Sequence, residues 1–198
     1  MESRVKLAGH PVHQMLIVFP LGLLATAVVF DVIFLVSDRP AWTMAAFFMI
    51  GAGVITGLAA AVPGSVDWLA IPRGTRAKRI GLIHGVGNVI VVALFALSWY
   101  LRLDNPAAPP TEAVVAGLLG AGLAGVTAWL GGELVGRLGV GVDDGANLDA
   151  PSSLTGMPAA AAAGSEFRAE MSRGWAGRER RHFPQPAYAG VDRRRSPV

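Results

Sequence analysis

The chain has 198 residues and a formal net charge of +3; 53% of it is hydrophobic and 16% is charged. A soluble domain carries about 25% charged residues. With a mean hydropathy of +0.48, the composition excludes a wholly disordered chain and an ordinary water-soluble domain. There is no cysteine, which excludes disulfides, thiolate catalysis, Cys-ligated zinc and Cys-ligated iron–sulfur clusters.

The apolar residues fall in four blocks. Residues 15–36 hold one charge, Asp31, and residues 41–62, 80–101 and 113–132 hold none. A bilayer core needs about 20 apolar helical residues to cross it, and none of the blocks shows a polar face at helical period. The expected fold is all-α, an integral membrane four-helix bundle over residues 1–142. The alternative for the first block is a cleaved signal peptide, with Ala25-Thr26-Ala27 as its cleavage site. Against that, the apolar run continues past Ala27 and three more blocks follow. Residues 143–198 turn rich in Ala, Pro, Gly, Ser, Arg and acid and read as a disordered cytoplasmic tail. Its arginines suit anionic lipid headgroups. Acids interrupt them and no folded binding module is present, so no nucleic-acid partner is expected.

Lys and Arg near the spans set the orientation. Arg4, Lys6, Arg73, Arg76, Lys78, Arg79 and Arg137 lie on one side, and only Arg39 and Arg102 on the other. Both termini are therefore expected in the cytoplasm, with the chain in a bacterial inner membrane. Lipid supplies no hydrophobic drive for helix association, so close packing at small residues must. Gly53 and Gly57, Gly81, Gly85 and Asn88, and Gly117, Ala121 and Gly125 provide such faces. They do not say whether the contacts lie within one chain or in a homo-oligomer.

Polar groups in hydrocarbon invite a functional reading. His10, His13, Asp67, His84 and Glu133 all fall at the inner level of the bundle. A faint parallel repeat matches His13…Asp67, 54 positions apart, with His84…Glu133, 49 apart. Three chemistries suit the group. His13 and His84 could hold haem b by its iron, or the five residues could hold a transition metal as ligands and supporting groups. The histidines could handle protons. Or they could simply meet headgroups and water. If Pro11 opens the first helix, His10 caps it and His13 lies in its first turn. Asp31 belongs near the outer interface, with Arg102 or Arg39 as its partner. No Walker loop, dinucleotide fingerprint, G-x-S-x-G or H-E-x-x-H motif is present, so no reaction is assigned.

Gly9-His10-Pro11-Val12-His13, Phe19-Pro20-Leu21-Gly22, Asp67-Trp68, His84 and Gly131-Gly132-Glu133-Leu134-Val135 together resemble the bacterial membrane family known as domain of unknown function 2231, over residues 7 to 142. The resemblance implies four membrane helices. Fusion of some relatives to Rieske-type modules implies redox surroundings, so a membrane redox complex is an expected partner. A non-catalytic integral subunit and a proton-coupled carrier acting as an oligomer are the alternatives. Many members carry a further His after the arginine of the last motif, where this chain has Arg137-Leu138.

Overall fold

The computed structural model describes residues 1–162. Four helical spans, Val12–Ser37, Pro40–Ala70, Arg76–Tyr100 and Thr111–Arg137, are long and apolar enough to cross a membrane. The chain is an integral membrane four-helix bundle. The arginine-rich stretch from 163 onward lies outside the described residues. Residues 143–162, assigned to the tail by composition, contain turns and short 3-10 helices at Ser153–Thr155 and Ala159–Ala162.

The first span is two helices, α1 (Val12–Leu16) and α2 (Val18–Ser37), separated at Ile17. Pro20 explains the break, because it has no N–H to return to the Leu16 carbonyl one turn earlier. Before them, β1 (Lys6–Leu7) pairs with β2 (His10–Pro11), Leu7 opposite His10. Ala8 and Gly9 both have positive φ, 49° and 81°, as the favoured two-residue hairpin turn requires. A Cβ on Gly9 would also lie 2.6 Å from that of Ser153. This corrects the expected helix start. Pro11 is extended, the helix opens at Val12, and Val12 donates to the Val5 carbonyl (2.9 Å) in continuation of the ladder. His10 is thus a hairpin residue and not a helix cap.

α3 (Pro40–Ala70) runs two turns beyond the expected end at 62, through Pro63. α4 (Arg76–Tyr100) starts at Thr75, whose hydroxyl accepts from the Lys78 N–H (3.1 Å). Trp68 and Lys78 close the tight turn between them. The indole donates to the Lys78 carbonyl (3.2 Å), while the ammonium donates to the Trp68 carbonyl (2.6 Å) and sits 4.0 Å from the ring centre. α5 (Thr111–Gly132) continues into a π-helical turn, Glu133–Arg137.

Neighbours pack α2 on α3, α3 on α4, α4 on α5 and α5 on α2. The four helices therefore form a ring in which α2 and α4 stand diagonally. Two constant offsets relate the halves. Seen from the first span, α4 lies 71 positions on: His13 matches His84, Leu24 matches Phe95, Ala27 matches Ser98 and Asp31 matches Arg102. Between α3 and α5 the offset is 67: Ala46 matches Ala113, Gly53 matches Gly120, Ala60 matches Thr127 and Gly64 matches Gly131. The packing repeats with them. A Cβ on Gly53 would fall 2.5 Å from Leu24, and one on Gly120 2.9 Å from Phe95. The bundle is a parallel duplication with its pseudo-two-fold axis along the helices.

At the distal end, the end of the 38–39 and 101–110 loops, Asp31 meets Arg102. Both carboxylate oxygens accept from the guanidinium, at 2.8 and 2.6 Å, and the two side chains are 1% and 0% exposed. Thr43 and Ser98 take further guanidinium N–H groups. Of the two expected partners for Asp31, the structure selects Arg102; Arg39 is exposed.

At the proximal end the N-terminal segment is clasped to the segment after the last helix. Lys6 bridges Glu2 (2.8 Å) and Asp143 (2.5 Å). The Lys6 hydrogen bond, then one from the Asp144 N–H, hold Glu2 below the ordinary carboxylate value of 4.5, while Asp143 and Glu2 raise Lys6 above 10.5. A depressed acid stabilises above its free value and loses that contribution as pH falls through its folded value; a raised lysine loses its contribution only as pH rises past 10.5. The clasp should therefore hold from neutral pH up to about that point and loosen below pH 4.5. Hydrogen exchange of residues 3–6 should accelerate severalfold on that acid side while the spans stay protected.

Candidate functional site

The proximal half of the bundle holds His13 and His84, one on each diagonal span. Each is held the same way. His13 Nδ1 lies 2.8 Å from the Ala60 carbonyl on α3, and His84 Nδ1 lies 2.9 Å from the Thr127 carbonyl on α5. A carbonyl only accepts, so each Nδ1 carries the proton and each Nε2 carries the lone pair. Each ring also rests on a glycine one turn further along. A Cβ at Gly64 would lie 2.7 Å from His13 Nδ1, and one at Gly131 would lie 3.2 Å from His84 Cε1.

The repeat is thus real, but its second member is not the acid that the sequence pattern matched. Both histidines bind main-chain oxygen, and the acids serve elsewhere. Asp67 accepts from the Ser3 hydroxyl (2.7 Å) and the Arg4 N–H (2.6 Å), tying the N-terminal segment to α3. Glu133 accepts from Arg76 (2.7 Å), joining the π turn to the start of α4. His10 lies on the hairpin, its Nδ1 3.2 Å from the Ala8 carbonyl and 3.3 Å from the Ser153 hydroxyl. Among the described residues no three His, Asp or Glu side chains group in a way that could hold a metal ion. Of the five expected site residues, the structure gives His13 and His84 matching supports on the two diagonal spans and gives His10, Asp67 and Glu133 partners of their own.

Two residues join the site that motif reading did not place there. Asn88, one turn after His84, donates from its amide nitrogen to His84 Nε2 (3.1 Å) and to the His84 carbonyl (2.9 Å). Its oxygen accepts from the Thr127 hydroxyl (3.0 Å). Asn88 was readable as a polar residue inside a span. Thr127 carried no signal beyond being a hydroxyl in an apolar block.

The fold and the paired imidazoles define a class: a duplicated four-helix membrane bundle with one buried-facing histidine per half. Residues 9–144 match the model of a family described as predicted membrane protein, domain of unknown function 2231. The chain belongs to that family. No curated protein and no solved structure matches it.

Proposed function

We propose that His13 and His84 form a two-imidazole ligand site and that the protein is a redox component of the membrane. One observation carries the reading: both rings spend Nδ1–H on a main-chain carbonyl, the supporting bond that orients a ligating imidazole and raises its basicity. The His13 Nε2 lone pair is then left to ligate, and the His84 Nε2 lone pair, which accepts from Asn88, would ligate once that amide turned away. The donor set would suit haem b, whose iron can be held by one or two imidazoles, better than a polydentate metal site, for which the described residues supply no third His, Asp or Glu. Haem would supply one-electron transfer when bound. The chain would fix the ring planes through Ala60 and Thr127 and exclude water with the surrounding apolar helices.

The protein purified in mild detergent and titrated with haemin should give a saturable Soret shift at one equivalent. His13→Ala should weaken uptake at least tenfold and His84→Ala severalfold, since each removes an imidazole that would hold the iron. Uptake by the His13→Ala/His84→Ala double variant equal to wild type, or no uptake of haemin, copper or iron by wild type, overturns the reading. In that case the integral-subunit alternative stands, supported by His84 having protein partners at both ring nitrogens.

We also propose an inner-membrane location with the proximal end in the cytoplasm, on the seven-to-two excess of Lys and Arg there. The chain has no cysteine, so single cysteines are clean reporters. Arg73→Cys should resist an impermeant maleimide applied to the periplasmic face, and Asn105→Cys should react.

A further inference from the structure

The two histidines are equivalent in their Nδ1 bonds and inequivalent at Nε2. The inequivalence is a local addition to the duplicated fold. Asn88 corresponds to Ile17 at the offset of 71, and Thr127 corresponds to Ala60 at the offset of 67. The first half folds with the aliphatic residues Ile17, 38% exposed, and Ala60, 3% exposed, at these places, so the fold does not require the amide or the hydroxyl.

The second half also clears room for them. A Cβ on Gly87 would stand 2.6 Å from the Thr127 methyl, and the positions that correspond to Gly87 and Thr127 in the first half hold Leu16 and the smaller Ala60. The Thr127 hydroxyl is 3.0 Å from both Asn88 Oδ1 and the Ala124 carbonyl. Pointing its one hydrogen at Oδ1 turns the amide so that its NH2 faces His84. Gly87, Asn88 and Thr127 together thus complete the hydrogen bonding of one imidazole. His13 has Ile17 at the same i+4 place, where no such donor exists.

Resting on the two-imidazole reading above, we infer that Asn88 is a positioning residue that holds the His84 Nε2 in reserve, so that a haem-class ligand engages His13 first and takes His84 only when the amide turns away. The net worth of one hydrogen bond, about 0.5–1.5 kcal/mol, sets the size of the effect at roughly two- to tenfold in affinity.

The test compares wild type with Asn88→Ile, which copies the first half, and with Ile17→Asn, which gives His13 the same i+4 amide. In ligand-free protein, the 15N resonance of His84 Nε2 should shift in Asn88→Ile while that of His13 stays. On haemin titration, wild type should show a substantial high-spin, one-imidazole fraction. Asn88→Ile should be low-spin with two imidazoles and bind two- to tenfold tighter, and Ile17→Asn should bind weaker by a similar factor. Gly87→Ala, which displaces Thr127, should move the spectrum in the same direction as Asn88→Ile. Haemin uptake with identical spectra and affinities in wild type and Asn88→Ile overturns this inference and leaves the two-imidazole site standing. Absence of uptake in every variant overturns both.

Discussion

Asp31→Ala or Arg102→Ala should each cost about 3–5 kcal/mol of stability, because each leaves one uncompensated charge in a site with 0–1% exposure. The expected result is a large loss of thermal stability in detergent for either single variant. The double variant Asp31→Leu/Arg102→Met should be less damaged than either single one, since a buried pair replaced by apolar groups is often neutral. The charge-exchanged variant Asp31→Arg/Arg102→Asp is more demanding. Positions 31 and 102 correspond in the duplication, so an arginine at 31 approaches its partner from the matching direction. Its surroundings differ, however. Ser98 and Thr43, which receive N–H groups from Arg102, correspond to Ala27 and Pro110. Exchange should recover the ion pair without those two hydrogen bonds, leaving a residual deficit of about 1–3 kcal/mol. Full additivity of the single losses in the Leu/Met double would show that the two side chains do not depend on each other. The pair lies 18 residues from His13 along one span, about 27 Å at 1.5 Å per residue. Haemin uptake by any variant that remains folded should be unchanged.

The spans could be read from the sequence because an uncharged 20-residue block has few other uses, and the Asp31 partner because a carboxylate in hydrocarbon must find a cation. The end of α3 was hidden by Pro63, Ser65 and Asp67, which read as a terminating turn. In the structure the Ser65 hydroxyl bonds back to the Ala61 carbonyl (2.8 Å) and the helix carries on to Ala70. The duplication was visible only faintly because its two offsets differ. In the first half long helices meet at a two-residue turn, 38–39, whereas in the second α4 stops at Tyr100 and a longer loop leads to Thr111. No single shift of the sequence on itself aligns both helix pairs. The partners of His13 and His84 were illegible for a different reason. Chemically conspicuous acids drew the pairing, while the actual acceptors are backbone carbonyls of Ala60 and Thr127, a group every residue possesses. What the sequence does mark is the glycine that lets each ring lie against the neighbouring helix.

Gly53→Val and Gly120→Val should each destabilise by about 1–3 kcal/mol, the cost of forcing extra volume into packed helices. At Gly53 the first added carbon would already stand 2.5 Å from a Leu24 methyl and 2.7 Å from its Cγ; at Gly120 it would meet the edge of Phe95 at 2.9 and 3.0 Å. Leu24 and Phe95 belong to one buried cluster with Ala27, Ala46, Ile50 and Val91, so neither ring nor isobutyl group can retreat without moving the helices. Trimming the partner should relieve the strain: Leu24→Ala combined with Gly53→Val should cost less than the two changes summed, and Phe95→Ala should do the same for Gly120→Val. Gly22→Val, where a Cβ meets nothing within 4 Å, should change thermal stability little and serves as the control for adding bulk to an apolar helix. Equal losses at Gly22 and Gly53 would mean that glycine flexibility, rather than close contact, governs these positions. Because Gly53 and Gly120 occupy matching places, similar losses at both are expected, and a loss confined to one half would show that the duplicated packing does not carry equal weight on the two sides of the axis.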